Sequence, residues 1–114
     1  MNMLNSLILE GNVVKECSLI PNGKCFDIEV LRYYKNADGD MVEDKSIFTV
    51  ELCGNLASET ITNKLKEGRG VRIVGRLKQK RWKEEDGKEY SRIVVIAEHL
   101  EFKPDFRKAK KDLI

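Results

Sequence analysis

The chain has 114 residues, 41% hydrophobic and 35% charged, with a formal net charge of +2. That is the length of one domain with one small core, too apolar for a disordered tail, and no apolar run approaches the ~18 residues of a membrane span. Three cysteines (Cys17, Cys25, Cys53) without a CxxC pair, beside the single His99, argue against a disulfide framework, a metal site and a Cys–His catalytic pair.

Met1 to Asn5 carries no basic stretch followed by a long apolar one, so no secretory signal is expected and a reducing cytoplasm is the natural location. Ser6 to Val14 reads as a first strand, and Pro21-Asn22-Gly23 as a turn. Phe26, Ile28 and Val30 alternate with Asp27 and Glu29, the period of a second strand with one buried face. Asn36 to Asp40 is a loop; its glycine comes too early for a calcium loop, and no Glu closes one. Phe48, Val50 and Leu52 alternate with Thr49 and Glu51 in a third strand. Asn55 is positioned to cap a helix in which Ala57, Ile61 and Leu65 share one face over about three turns, with Gly68 ending it. Val71, Ile73, Gly75 and Leu77 begin a fourth strand, Asp86-Gly87 is a hairpin turn, and Tyr90 to Phe102 is a fifth strand closed by Pro104. The domain is expected to span residues 1–104. Residues 105–114, with Lys108, Lys110 and Lys111, are expected to form a short, basic, mobile tail.

The order strand, strand, strand, helix, strand, strand predicts a mainly β fold. Five strands too few to be covered by helices on both faces close on themselves and lose their edges. With one short helix between strands three and four, that is a five-stranded OB-fold barrel, whose outer groove binds oligonucleotides or oligosaccharides. The last two strands exceed what the barrel needs and should project as a hairpin.

Charge is unevenly placed. Residues 1–68 hold 7 Lys/Arg against 11 Asp/Glu, a net of −4, and residues 69–114 hold 14 against 8, a net of +6. From Arg69 to Lys83 there are seven cations and no acid. Period two sets Arg72, Arg76, Lys78, Lys80 and Trp82 on the face opposite Val71, Ile73, Gly75 and Leu77. Cations neutralise phosphates and release counterions, and an indole stacks an unpaired base. A loop centred on Asp86-Gly87 pairs Lys83 with Tyr90 and Arg81 with Arg92, extending that surface. The alternative is a solvated hairpin with Trp82 packed on its stem. Tyr33, Tyr34 and Lys35 end the second strand; at most one tyrosine is expected to face the core, and the other stacks a base or caps the barrel rim. No catalytic constellation is visible, so no enzyme and no cofactor are expected.

Several segments, taken together, resemble the bacterial single-stranded DNA-binding protein family. They are Asn5 to Asn12, Pro21-Asn22-Gly23, Phe26 to Val30, Leu52 to Ala57, Lys66 to Gly68, Val74 to Leu77, Arg81-Trp82 and Gly87 to Tyr90, in order and at similar spacing. The resemblance covers about residues 5–103. It implies an OB fold that coats single-stranded DNA in replication, recombination and repair, working as a homo-oligomer, with a tetramer favoured over a dimer. It also implies a nucleoid-associated protein of the cytoplasm, with Trp82 and Tyr34 where the family places base-stacking aromatics. The rival reading is a dimeric OB-fold accessory protein of primosomal or plasmid type, acting mainly through protein contacts. The chain departs from the family's pattern at Ile47 and Cys53, where aromatics are usual, and in ending on Lys108 to Ile114 where an acidic tail recruits replication and repair proteins.

Overall fold

The computed structural model describes residues 1–107. Five strands, β1 (Leu7–Ile20), β2 (Gly23–Lys35), β3 (Met41–Leu52), β4 (Gly70–Lys83) and β5 (Glu89–Lys103), close into a barrel in the order β1-β2-β3-β5-β4. The core is Val13, Phe26, Ile28, Val50, Leu52, Leu65, Val71, Ile73, Val95 and Ala97. These are largely the β-branched and aromatic positions that the period-two pattern turns inward.

β1 outlasts the expected end at Val14 because it serves two neighbours. Leu7 to Asn12 pairs with β4, and Asn12 to Ile20 pairs with β2, with register shifts between Val13 and Lys15 and between Lys15 and Ser18. Such bulges bend a strand. They also blur the alternation through Lys15, Glu16, Cys17 and Ser18.

The expected three-turn helix is much shorter. Gly54–Ala57 is a 3-10 turn, and α1 (Glu59–Thr62) is a single helical turn. Its cap is Ser58, whose Oγ accepts a hydrogen bond from the Ile61 amide at 3.4 Å, rather than Asn55, which lies inside the 3-10 turn. After Thr62 the chain makes i→i−3 bonds, Lys64 N–H to Ile61 O and Leu65 N–H to Thr62 O. A β-branched residue followed by Asn disfavours further α-helix here. Leu56, Ala57 and Ile61 still pack on the core, and Leu65 is fully buried. Gly68 does not end a helix; at φ +90° it turns the chain so that its amide donates to Val13 O at 2.8 Å.

β3 and β5 run parallel and pair only at Val50–Val95 and Glu51–Ile96. Both therefore begin at the same end of the barrel and splay apart there. This creates two arms, the β2–β3 hairpin with its tip at Asn36–Asp40 and the β4–β5 hairpin with its tip at Glu84–Lys88. The second is the projecting hairpin expected from the sequence. Leu77, expected in the core, lies on this arm beyond the barrel wall and is 48% exposed. Phe48, on the inner face of β3, is likewise half-exposed.

At the far end of β5 the register slips between Val74–His99 and Gly75–Ala97, leaving Glu98 as an extra residue. The inward set accordingly changes from Val95 and Ala97 to Leu100 and Phe102. Past Pro104 the chain folds back onto β1. Asn12 donates to Asp105 Oδ1 at 3.1 Å and accepts from the Phe106 amide at 3.0 Å. Arg107 bonds Glu29 at 2.6 Å and Glu43 at 3.1 Å. Residues 108–114 of the expected tail, with Lys108, Lys110 and Lys111, lie outside the described residues.

Candidate nucleic-acid interface

The β4–β5 arm pairs Trp82 with Tyr90, Lys83 with Glu89, Arg81 with Ser91 and Lys80 with Arg92. The register is one residue away from the expected Lys83–Tyr90 and Arg81–Arg92 pairs. The turn closes through Glu84 and Lys88 rather than symmetrically about Asp86-Gly87, since the Glu84 amide bonds Lys88 O at 3.1 Å. The slip matters because directly opposed residues share a face. Trp82 and Tyr90 therefore sit side by side, centroids 6.0 Å apart and planes at 20°. The outward face becomes a continuous row: the aromatic pair, then Lys80 with Arg92, then Lys78, then Arg76.

Trp82 and Tyr90 are each 41% exposed. Each is tethered at its polar end, the Trp82 Nε1–H to Glu84 at 2.9 Å and the Tyr90 hydroxyl to Asp86 at 3.4 Å. These tethers hold both rings across the ribbon without covering them. A groove of about 530 Å3 is lined by Lys78, Gln79, Lys80, Arg81, Trp82 and Arg92. It continues into a second concavity in which Arg76, Lys78 and Lys80 meet Glu51, Cys53 and the Pro21–Asn22 turn. The turn and the end of β3 were missing from the residues singled out by sequence. The Pro-Asn-Gly signal marks the turn, but only barrel closure brings it beside β4.

The cations differ in how free they are. Among the described residues, Arg76, Lys78 and Arg92 form no ion pair. Lys80 pairs with Glu51 at 2.5 Å, and Lys83 pairs with Glu89 at 3.8 Å. Arg81 turns back on Gln79 at 2.8 Å. Arg72 lies further along β4, bridging Glu10 at 2.7 Å and Glu101 at 3.5 Å. Tyr33, Tyr34 and Lys35 belong to the other arm, opposite Glu43, Val42 and Met41. The second strand's alternation points Tyr34 to the inner side of that arm and Tyr33 to its outer side, beside Phe106 and Arg107.

The carboxylates on the outer faces of β2 and β3 are compensated. Glu29 is nearly buried, and the Arg107 hydrogen bond holds its carboxyl below the usual range, against burial and with help from Lys45. Asp27 accepts from the Thr49 hydroxyl at 2.8 Å. Burial pushes the Cys17 thiol up, away from the thiolate that nucleophilic chemistry needs. Among the described residues no group of three His, Cys, Asp or Glu converges as a metal site, and no helix is long and apolar enough to cross a membrane.

The profile of the single-strand binding protein family matches residues 4–103. The chain is 31% identical over 103 residues to the single-stranded DNA-binding protein of Aquifex aeolicus, covering 86% of this chain and 69% of that one. It is 32% identical over 104 residues to that of Wolinella succinogenes, covering 87% and 64%. The Helicobacter pylori relative, 30% identical, is covered over 58% of its length, so the chain spans between 58% and 69% of these curated relatives. Among solved structures, a Plasmodium falciparum SSB in complex with ssDNA superposes with a TM-score of 0.75 at 18% identity, over 90% of this chain and 97% of that one. A small single-stranded DNA-binding protein from Streptomyces coelicolor gives 0.64 at 23% identity, over 90% and 96%. These likenesses establish the OB fold.

Proposed function

The chain belongs to the single-strand binding protein family, and from that premise we propose that it binds single-stranded DNA with little sequence preference, through the outer face of the β4–β5 arm. The observation that carries the reading is the groove that joins the unpaired cations Lys78 and Arg92 to the open ring of Trp82, with Tyr90 beside it. Arg76, Lys78 and Arg92 contact phosphates, Lys80 adds to them at need, and Trp82 with Tyr90 stacks bases. Neither set reads a base edge, so binding is tolerant of sequence. Arg81 and Lys83 border the path, Arg72 is held as a structural ion pair, and Tyr33, Tyr34 and Lys35 offer a second contact on the other arm. The role is binding rather than catalysis: coating single strands in replication, recombination and repair, on nucleoid DNA in the cytoplasm.

We also propose self-association. Ile8 on β1 is 68% exposed, and Ile47, Phe48, Leu77 and Ile93 leave further apolar surface open near the arms. A homo-oligomer, a tetramer in preference to a dimer, covers it and repeats the binding surface. Light scattering that returned the 13.1 kDa monomer at micromolar concentration would refute this.

Salt dependence tests the DNA path. Each phosphate contact contributes about −0.7 to the log–log slope of affinity against salt for single strands. Replacing exposed Arg76 and Lys78 by Ala is expected to flatten the slope for oligo-dT by about 1.4. An unchanged slope refutes the assigned path.

A further inference from the structure

The groove contains a carboxylate where its ligand should be repelled. Glu51 projects from the outer face of β3, beside Ile96 of β5, which in turn pairs with Arg76 of β4. Glu51 thus shares one concavity with Arg76, Lys78 and Lys80. Its residue is only 7% exposed, so its charge is neither hydrated away nor free to swing out. Lys80 Nζ lies 2.5 Å from Oε2. Among the described residues Lys80 is the one partner of this buried oxygen, whereas Glu29 has both Arg107 and Lys45.

We propose that Glu51 is a built-in stand-in for phosphate, an internal anion that occupies Lys80 and weakens the groove's grip on a nucleic-acid backbone. The inference rests on the proposed DNA path and concerns what sets its affinity. Single-strand binding gains from the release of ions condensed on the nucleic acid when protein cations replace them. A cation already neutralised by a tethered carboxylate gives little of that gain. Moving it to a phosphate leaves Glu51 buried and unpaired, which is costly. Lys80 therefore contributes less than its neighbours Arg76 and Lys78, although it sits next to the aromatic pair. A chain with one such stand-in binds single strands less tightly and releases them more readily than its cation count implies.

The test compares wild type, Glu51→Gln, and Glu51→Gln combined with Lys80→Gln, titrated with labelled oligo-dT from 50 to 300 mM NaCl. Removing the carboxylate adds one effective phosphate contact. The slope is expected to steepen by about 0.7, so that the affinity advantage over wild type grows about 3.5-fold from 300 to 50 mM NaCl. The gain is expected to vanish in the double variant, which has no Lys80 charge to release. If Glu51→Gln does not fold, Glu51→Met carries the same prediction with an apolar side chain against Ile96. Unchanged or weaker binding by a folded Glu51 variant overturns the inference while leaving the DNA path intact, and so does a gain that persists without Lys80. Failure of wild type to bind oligo-dT at all overturns the proposed function as well.

Discussion

Replacing Trp82 by Ala separates a binding role from a packing role, because the two respond in different assays. The ring is 41% exposed, lies on the arm outside the barrel core, and stacks on Tyr90 with centroids 6.0 Å apart. Truncation forfeits that aromatic pair, worth about 0.5–1.5 kcal/mol, and the loss is local to the hairpin. A buried core Trp would instead cost about 3–5 kcal/mol of global stability. On the binding side, stacking is worth about 1–3 kcal/mol per base, or roughly one to two decades of affinity. Tyr90 stays in place as a partial platform, so a loss of about tenfold is expected. Fluorescence anisotropy of labelled oligo-dT measures the affinity, since the variant has no Trp of its own, and thermal denaturation measures stability. Binding about tenfold weaker is expected, with a melting temperature close to wild type. A large drop in melting temperature with wild-type affinity in the folded fraction would mean that Trp82 is structural and would move the search to Tyr33 and Tyr34.

Other perturbations probe the scaffold. Leu65 is fully buried where the short helical segment closes the barrel, so Leu65→Ala is expected to cost about 2–5 kcal/mol in urea denaturation; a cost below 1 kcal/mol would show that this end of the barrel is not closed by it. A Cβ on Gly75 would lie 2.1 Å from the Ile96 carbonyl oxygen, next to the register slip. Gly75→Ala should therefore destabilise by about 1–3 kcal/mol or more, and neutral stability contradicts that close approach. Glu29's carboxyl is held low chiefly by Arg107. A depressed carboxyl stabilises above its unfolded value of about 4.3, and the contribution is lost as pH falls through the lowered folded value. Arg107→Gln should thus melt below wild type at neutral pH, with the gap closing in acid; a gap of constant size across that range contradicts the pairing.

The strands were legible because a half-buried strand writes its period of two directly into the sequence, as Phe26, Ile28 and Val30 do. The order of elements then sufficed for the barrel and for its projecting hairpin. What stayed hidden depends on geometry that alternation does not encode. The bulged second half of β1 shows no clean period, since Lys15 to Ser18 slip register against β2. The extra residue Glu98 changes which side of β5 faces inward, within an unbroken run of strand-forming residues. The helical spacing of Ala57, Ile61 and Leu65 correctly marked residues that pack against the core, but it is also satisfied by a turn that delivers Leu65 without a helix. Within the candidate site, the cation row and Trp82 were visible on β4 alone. The Trp82–Tyr90 pair needed the hairpin register, which differs by one residue from a symmetric turn. The Glu51–Lys80 pair joins strands 29 positions apart in sequence and exists only once β5 lies between them. The compensation of Glu29 and Glu51 was not legible either, because their partners Lys45, Arg107 and Lys80 lie far from them in sequence.

Trp82 is the sole tryptophan, so its emission reports on one ring at the centre of the proposed surface. A titration of wild-type protein with labelled oligo-dT, reading anisotropy and Trp emission in the same cuvette, asks whether binding occurs and whether it occurs there. Saturable quenching of Trp82 is expected in step with the rise in anisotropy, both shifting together to higher concentration as salt is raised. Binding by anisotropy with Trp82 emission unchanged would contradict a DNA path across the β4–β5 arm.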